Sequence, residues 1–212
     1  MTERLERIFS VIPFCKVFAD IGCDHGYIAK AVLKSGKAEK VIISDISAKC
    51  LSKAEMLLSS EIKAGTAKSV VSNGFEKVGA CDTALIAGMG GEEIVNILDS
   101  ATSLPQKLIL QPMKNCDKVR IKVIELGYKF ISDFIFKSGG KYYDLMSLEK
   151  GEDSLTEEEI EFGRDNLLGN NADFKQMLLE QMEKFVNYSQ ALEGGESKLR
   201  LEKQIEKLRK YI

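Results

Sequence analysis

The string ADIGCDHGY (19–27) sets Asp20, Gly22, Asp24, His25 and Gly26 in close succession behind a short apolar run. A glycine turn that ends a strand and opens a helix is where an α/β sheet brings its backbone close to a ligand. The spacing is not that of a dinucleotide fingerprint, because Gly22 is followed by Cys23 and the next glycine lies four positions on. A pyrophosphate cradle is therefore not expected. An acid-bearing turn without such a cradle suits a nucleoside cofactor that carries no phosphates. S-adenosylmethionine is one, and its ammonium takes carbonyl and carboxylate partners. The next apolar run ends in Ser44-Asp45-Ile46, and Asp45 stands 23 residues after Gly22. A carboxylate there can accept both hydrogen bonds of a ribose diol.

Three further strings end apolar runs. In SNGF (72–75), Asn73 can read an adenine edge with Gly74 shaping the turn, although an ordinary Asn-Gly turn has the same sequence. AGMGG (87–91) holds three glycines in five residues, a concentration that costs backbone entropy and so points to close backbone approach. LILQPM (108–113) brings the neutral amide of Gln111, followed by Pro112, to the same rim. His25 is the only histidine, which excludes a multi-histidine metal centre. It can move a proton or simply cap the following helix. The five cysteines form no C-x-x-C pair, so neither a zinc site nor a disulfide framework is expected.

The elements that must position these groups follow from hydrophobic pattern. Residues 1–151 alternate apolar runs (17–22, 40–46, 69–71, 83–88, 107–112) with helically spaced segments, the rhythm of a parallel sheet covered by helices. Two later runs, 128–139 and 141–151, flank Gly139-Gly140 and read as an antiparallel hairpin closing the sheet. From 152 to 212 the chain turns charged and helical, with a break at Gly194-Gly195. Near-heptad leucines and isoleucines predict an antiparallel, coiled-coil-like helix pair, either protruding as a subdomain or packed on the sheet. No apolar run reaches membrane-spanning length and no signal-peptide core is present, so a cytoplasmic protein without a membrane partner is expected.

ADIGCDHGY, IAGMGG, LILQP and KYYDL, in this order and spacing, resemble the bacterial TrmK family of tRNA adenine-22 N1-methyltransferases. The resemblance runs from Arg4-Leu5 to about residue 151 and continues more faintly through 157–168. It implies a Rossmann-like, seven-stranded S-adenosylmethionine-dependent methyltransferase domain with a C-terminal helical extension, and tRNA as partner. It further implies that Asp20, Gly22, Cys23 and the turn through Asp24 hold the methionine end of the cofactor, with Asp45 at the ribose and Asn73-Gly74 at the adenine. Departures from the family pattern stand at Cys23 for Ser, Gly26 for Ala, Asp45 for Glu, Asn73 for Asp and Met113 for Asn.

Methylation of adenine N1 needs no metal and no covalent nucleophile, only a base and a methyl group held in line. Asp24 is expected to serve catalysis by accepting from the adenine N6 amino group, or by helping it lose a proton as the methylated base neutralises. The backbone from Ala87 through Gly88 and Met89 to Gly90, next to Gly91, would complete the pocket with the Gln111 amide, and His25, Pro112 and Tyr143 would face the flipped base. Tyr142 and Tyr143 are adjacent on a strand, so only one can reach the site. A methyltransferase for a small molecule or a protein, or an inactive cofactor- or RNA-binding module, remains compatible with the sheet motifs.

A net charge of −2 conceals a division. Residues 1–150 carry 21 basic and 18 acidic side chains, whereas 151–212 carry 9 and 14. Within the tail, 152–165 hold seven acids, of which the run EEEIE (157–161) is most simply a solvated helix start, while 196–212 hold six bases. Lys203, Lys207 and Arg209 there, with Lys114 and Arg120 beside the Gln-Pro rim, are expected to meet tRNA phosphates. A monomer is expected.

Overall fold

A computed structural model describes residues 1–169, 171–192 and 194–212. In chain order the elements are α1 (Glu3–Val11), β1 (Cys15–Ile21), α2 (Tyr27–Lys34), β2 (Ala38–Asp45), α3 (Ala48–Leu57), α4 (Ser59–Lys63), β3 (Ala67–Val71), β4 (Thr83–Met89) and α5 (Gly91–Asp99). They continue as β5 (Lys107–Pro112), α6 (Cys116–Glu125), β6 (Tyr128–Ser138), β7 (Lys141–Lys150), α7 (Glu157–Phe162), α8 (Arg164–Leu167), α9 (Ala172–Gln190) and α10 (Glu196–Arg209). The seven strands form one sheet in the order β3-β2-β1-β4-β5-β7-β6. Neighbours are parallel from β3 to β5, and β7 pairs antiparallel with both β5 and β6. All seven strands expected from the apolar runs are present.

The central strands are apolar on both faces because helices cover both. Phe18, Ile43, Leu85 and Ile109 meet Ile8, Ile12, Ile28 and Leu51 of α1 to α3 on one side. Ala19, Ile21, Ile86 and Leu110 meet Ile94, Leu98, Val119 and Val123 of α5 and α6 on the other. The β6–β7 turn is made by Gly139 and Gly140, both at positive φ (55° and 76°), the conformation that a two-residue hairpin loop demands. Strand order reverses between β1 and β4, which opens a crevice at their carboxyl ends.

The run 157–161 starts α7 with its glutamates largely exposed, as expected, but the polar residues on either side of it do more. Four side chains between residues 153 and 173 run along β6, the edge strand, and take that strand's outward N–H groups. Asp153 accepts from Phe130 N at 2.9 Å, Asp165 from Asp133 N at 2.8 Å, Asn166 from Ile135 N at 3.0 Å and Asp173 from Lys137 N at 2.9 Å. Edge strands otherwise present unpaired N–H groups to any other strand. Beyond that seam, Phe162, Phe174, Leu178 and Leu208 form a third core against Ile135. Helices α9 and α10 are present on either side of the expected break and pack on each other, with Ile205 and Leu208 buried but Leu199 exposed.

Candidate active site

At the carboxyl ends of β1, β2 and β4 lies a cleft of about 740 Å³, lined by Ile21, Gly22, Asp24, Asp45, Ile46, Asn73, Gly74, Ala87, Gly88 and Met89 among others. The fold thus gathers most of the groups that the sequence singles out. Asp45 is set by its own turn: its Oδ1 accepts from Ser47 N at 2.8 Å, while Oδ2 faces Asp24 N at 3.4 Å across the first loop. Ile46, after it, is 70% exposed and offers a bare apolar surface to the cleft. Asn73 is exposed, its amide donating to Glu76 at 3.0 Å, and Gly74 lies buried beneath it.

The turn after β1 carries Asp24 at φ 44°, a left-handed conformation that side-chain-bearing residues seldom adopt. There its Oδ2 accepts from His25 Nδ1 at 2.6 Å and its Oδ1 from Lys53 at 3.3 Å. Partial burial works against the charge, but the His25 and Lys53 contacts outweigh it and hold the carboxyl below the usual carboxylate range. With its Nδ1 engaged, His25 keeps Nε2 free, and its ring stacks on Tyr27 at 5.4 Å. Tyr27, half exposed at this rim, escaped the sequence reading, although it closes the same ADIGCDHGY string. Asp20 faces the other side of the turn, in a smaller lobe lined by Arg4, Gly22, Cys23, Asp24, His25 and Ala87. Burial, opposed by the Ala29 N–H and reinforced by the Asp45 charge, pushes its carboxyl up to about 7.

The glycine-rich string after β4 is spent on close approach. β4 shifts register against β5 between Ala87 and Met89, so Gly88 bulges out at the mouth of the cleft. A Cβ on Gly91 would stand 2.2 Å from the backbone oxygen of Asn115, so the start of α5 fits under the loop after β5 only as glycine. Gly90 lies against the exposed Lys114.

Several expected contacts are overturned. Gln111 is wholly buried, with Oε1 taken by Arg4 Nε at 2.9 Å and by Arg4 Nη2, and Nε2 directed to Pro112 O at 3.0 Å. Its amide also reaches Met113 Sδ at 3.4 Å and Pro112 is buried, so both are engaged internally where contacts to the base were expected. Tyr143 is committed to internal contacts, with the Arg4 guanidinium 5.4 Å from its centroid and the Phe136 ring stacked at 5.6 Å, where stacking on a flipped base was expected. Arg120 is fully buried and grips Asp133 through two contacts of 2.8 Å and Asp144 through one of 2.5 Å, out of reach of any phosphate. Despite burial, those two carboxylates raise its pKa, so it stays charged. Lys207 is paired to Glu161 and lies over Phe162. Lys203 and Arg209 are exposed on α10 as expected.

Arg4 of α1 belongs to the site but was not singled out, since nothing in ERLERIF foretells which strand end the helix will cover. No helix among the described residues is long and apolar enough to cross a membrane.

Residues 1–146 match the family described as "Methyltransferase domain". The chain is 30% identical over 172 residues to a Mycoplasma pneumoniae protein named "Putative tRNA methyltransferase", covering 77% of this chain and 79% of that one. It is 28% identical over 179 residues to the Bacillus subtilis tRNA (adenine(22)-N(1))-methyltransferase, covering 80% and 73%. The structure of M. capricolum TrmK in complex with S-adenosylhomocysteine superposes with a TM-score of 0.87 at 23% identity, covering 100% of this chain and 97% of that one.

Proposed function

Because the chain belongs to the methyltransferase-domain family, we propose that it transfers the methyl group of S-adenosylmethionine to N1 of an adenine in tRNA, at position 22 as in its Bacillus subtilis relative. The observation that carries this reading is the cleft itself. Its volume of about 740 Å³ suits a nucleoside-sized ligand, and it sets a ribose-type acceptor, Asp45, between an exposed apolar side chain and an adenine-edge amide. When bound, the cofactor supplies a methyl group on positively charged sulfur.

The chain's own residues orient and balance charge. Asp45 accepts from the ribose hydroxyls, Ile46 covers one face of the cofactor base, and Asn73 reads its edge. Asp24, with Asp45 and Glu93 in the same cleft, makes it electronegative, which favours positive charge developing on the acceptor base. Asp24 also accepts from the N6 amino group, exchanging its Lys53 partner. Holding the two reactants in line can lower the barrier by up to ~7–11 kcal/mol. Tyr27, beside His25, offers the exposed aromatic face for the target base that Tyr143 lacks.

The helices after residue 151 share a core of Phe162, Phe174, Leu178 and Leu208 built on Ile135 of β6, so the part after 151, read here as tRNA-contacting, is docked on the sheet and does not stand apart from it. A tRNA substrate also favours a cytoplasmic location, and the protein is read as acting as a monomer. Incubation with labelled S-adenosylmethionine and unmodified tRNA, followed by digestion, should place the label in 1-methyladenosine at position 22. Label on proteins or metabolites alone, or on no acceptor, would overturn this reading.

A further inference from the structure

Asp24 holds its two carboxylate oxygens differently. Oδ2 takes His25 Nδ1 at 2.6 Å, whereas Oδ1 takes the Lys53 ammonium of α3 at 3.3 Å, in a pair whose side chains are 45% and 56% exposed. An exposed ion pair of that length adds little to stability and exchanges readily. Oδ1 is therefore the oxygen that an adenine N6 amino group takes over, and Lys53 is the partner it displaces.

A displaced ammonium needs another anion. Asp45, ahead of α3, and Glu55, within it, already accept hydrogen bonds, from Ser47 N at 2.8 Å and from Ser69 Oγ at 2.6 Å. The substrate brings anions of its own, because a nucleotide that flips into a pocket enters base first and leaves its phosphates at the mouth. A lysine follows them there on its flexible four-carbon stem, with three donors to turn. Lys49 stands one helical turn earlier on the same exposed face of α3, away from the buried Leu51 and Ala54. Residues so spaced are about 5–6 Å apart at Cβ, so the pair can meet two successive phosphates of one strand. Lys30 of α2, by contrast, is fixed by Glu61 and by the Leu57 carbonyl.

We propose that Lys53 is a substrate-exchanged positioning residue. Before tRNA arrives it occupies Asp24, and when the target adenine takes Oδ1 it passes to a phosphate flanking that nucleotide, with Lys49 on the next one. Entry of the base and grip on the backbone are thereby coupled: the N6 amino group releases the cation that then holds the strand. The proposal rests on the reading of Asp24 as the N6 acceptor, and it adds a phosphate contact on α3, on the far side of the molecule's sequence from α10.

Filter binding from 50 to 300 mM salt tests it with two tRNAs, one carrying adenine at position 22 and one carrying purine there, which lacks the 6-amino group. For the adenine tRNA, Lys53→Gln should lower affinity roughly three- to tenfold at low salt and reduce the slope of log K against log salt by roughly 0.7. For the purine tRNA, where nothing displaces Lys53 from Asp24, the same variant should change affinity less than twofold. Lys49→Gln should weaken both tRNAs alike, and Lys40→Gln, near the opposite end of β2, should weaken neither. In steady-state methylation the KM for tRNA should rise in Lys53→Gln while kcat stays within about twofold. Equal losses for the two tRNAs would overturn the exchange, as would an unchanged affinity for both, a loss shared by Lys40→Gln, or a defect in S-adenosylhomocysteine binding instead. If the wild-type protein failed to methylate the adenine tRNA, the functional reading itself would fall, a result distinct from any of these.

Discussion

Arg120 and Asp133, thirteen residues apart, face each other through two hydrogen bonds of 2.8 Å in a region where neither side chain reaches solvent. Such a pair adds little net stability against an apolar replacement, but removing one partner strands a buried charge. Arg120→Met should therefore lower the unfolding free energy by about 3–5 kcal/mol. Arg120→Met combined with Asp133→Leu should recover much of it. Urea denaturation of the single and double variants checks this. The folded Arg120→Met protein should bind tRNA as the wild type does.

Asp24 requires a variant that tolerates its left-handed backbone, since alanine there would add strain of about 1–3 kcal/mol. Asparagine visits that region readily and keeps the side-chain shape. Asp24→Asn should lower kcat roughly 10²-fold, the usual cost of removing one oriented electrostatic group. Affinity for S-adenosylhomocysteine should stay within about threefold, because the carboxylate faces the acceptor more than the cofactor. Near-normal turnover in this variant would remove Asp24 from the chemistry.

Asp20 predicts a pH dependence of stability. Its carboxyl rises from an ordinary 3.8 to about 7 in the fold, so between those values the native state holds a proton that the unfolded chain has released. Its contribution is fully present below pH 4 and is lost as pH rises through 7, at about 1.4 kcal/mol per unit. Asp20→Asn removes this slope. Unfolding curves from pH 4 to 8 should therefore show the variant gaining on the wild type as pH rises. Parallel profiles would contradict the assignment.

Lys203 and Arg209 are exposed on α10. If each meets a phosphate, replacing both with Gln should weaken tRNA binding at low salt and reduce the slope of log K against log salt by roughly 1.5. Filter binding from 50 to 300 mM salt measures it, with S-adenosylhomocysteine affinity as the unchanged control. Lys207→Gln, which breaks the Glu161 contact, should act on thermal stability more than on the slope.

The central strands were readable because their buried runs are apolar without alternation, and Asp45 because it ends the second of them about 20 residues after the first turn. Arg120 was misread as a surface charge, yet it shares the stripe Cys116, Arg120, Val123 at helical spacing, a signal for burial; what the stripe could not supply was its partners on the distant hairpin. Gln111 likewise continues the fully buried run 108–112, so its amide was bound to be consumed internally. Arg4 was illegible for the opposite reason. Its place at the cleft arises from where α1 lands on the sheet, a relation between residues 107 positions apart.

The four acceptors along β6 carry a consequence for biosynthesis. During translation β6 and β7 emerge before Asp153, Asp165, Asn166 and Asp173, so the nascent sheet waits with an open flank until the acidic segment has left the ribosome. A transient pause in that interval is the moment at which the chain is most exposed to pairing with another copy of itself. Asp153, Asp165, Asn166 and Asp173 are thus the latch on the sheet's open edge.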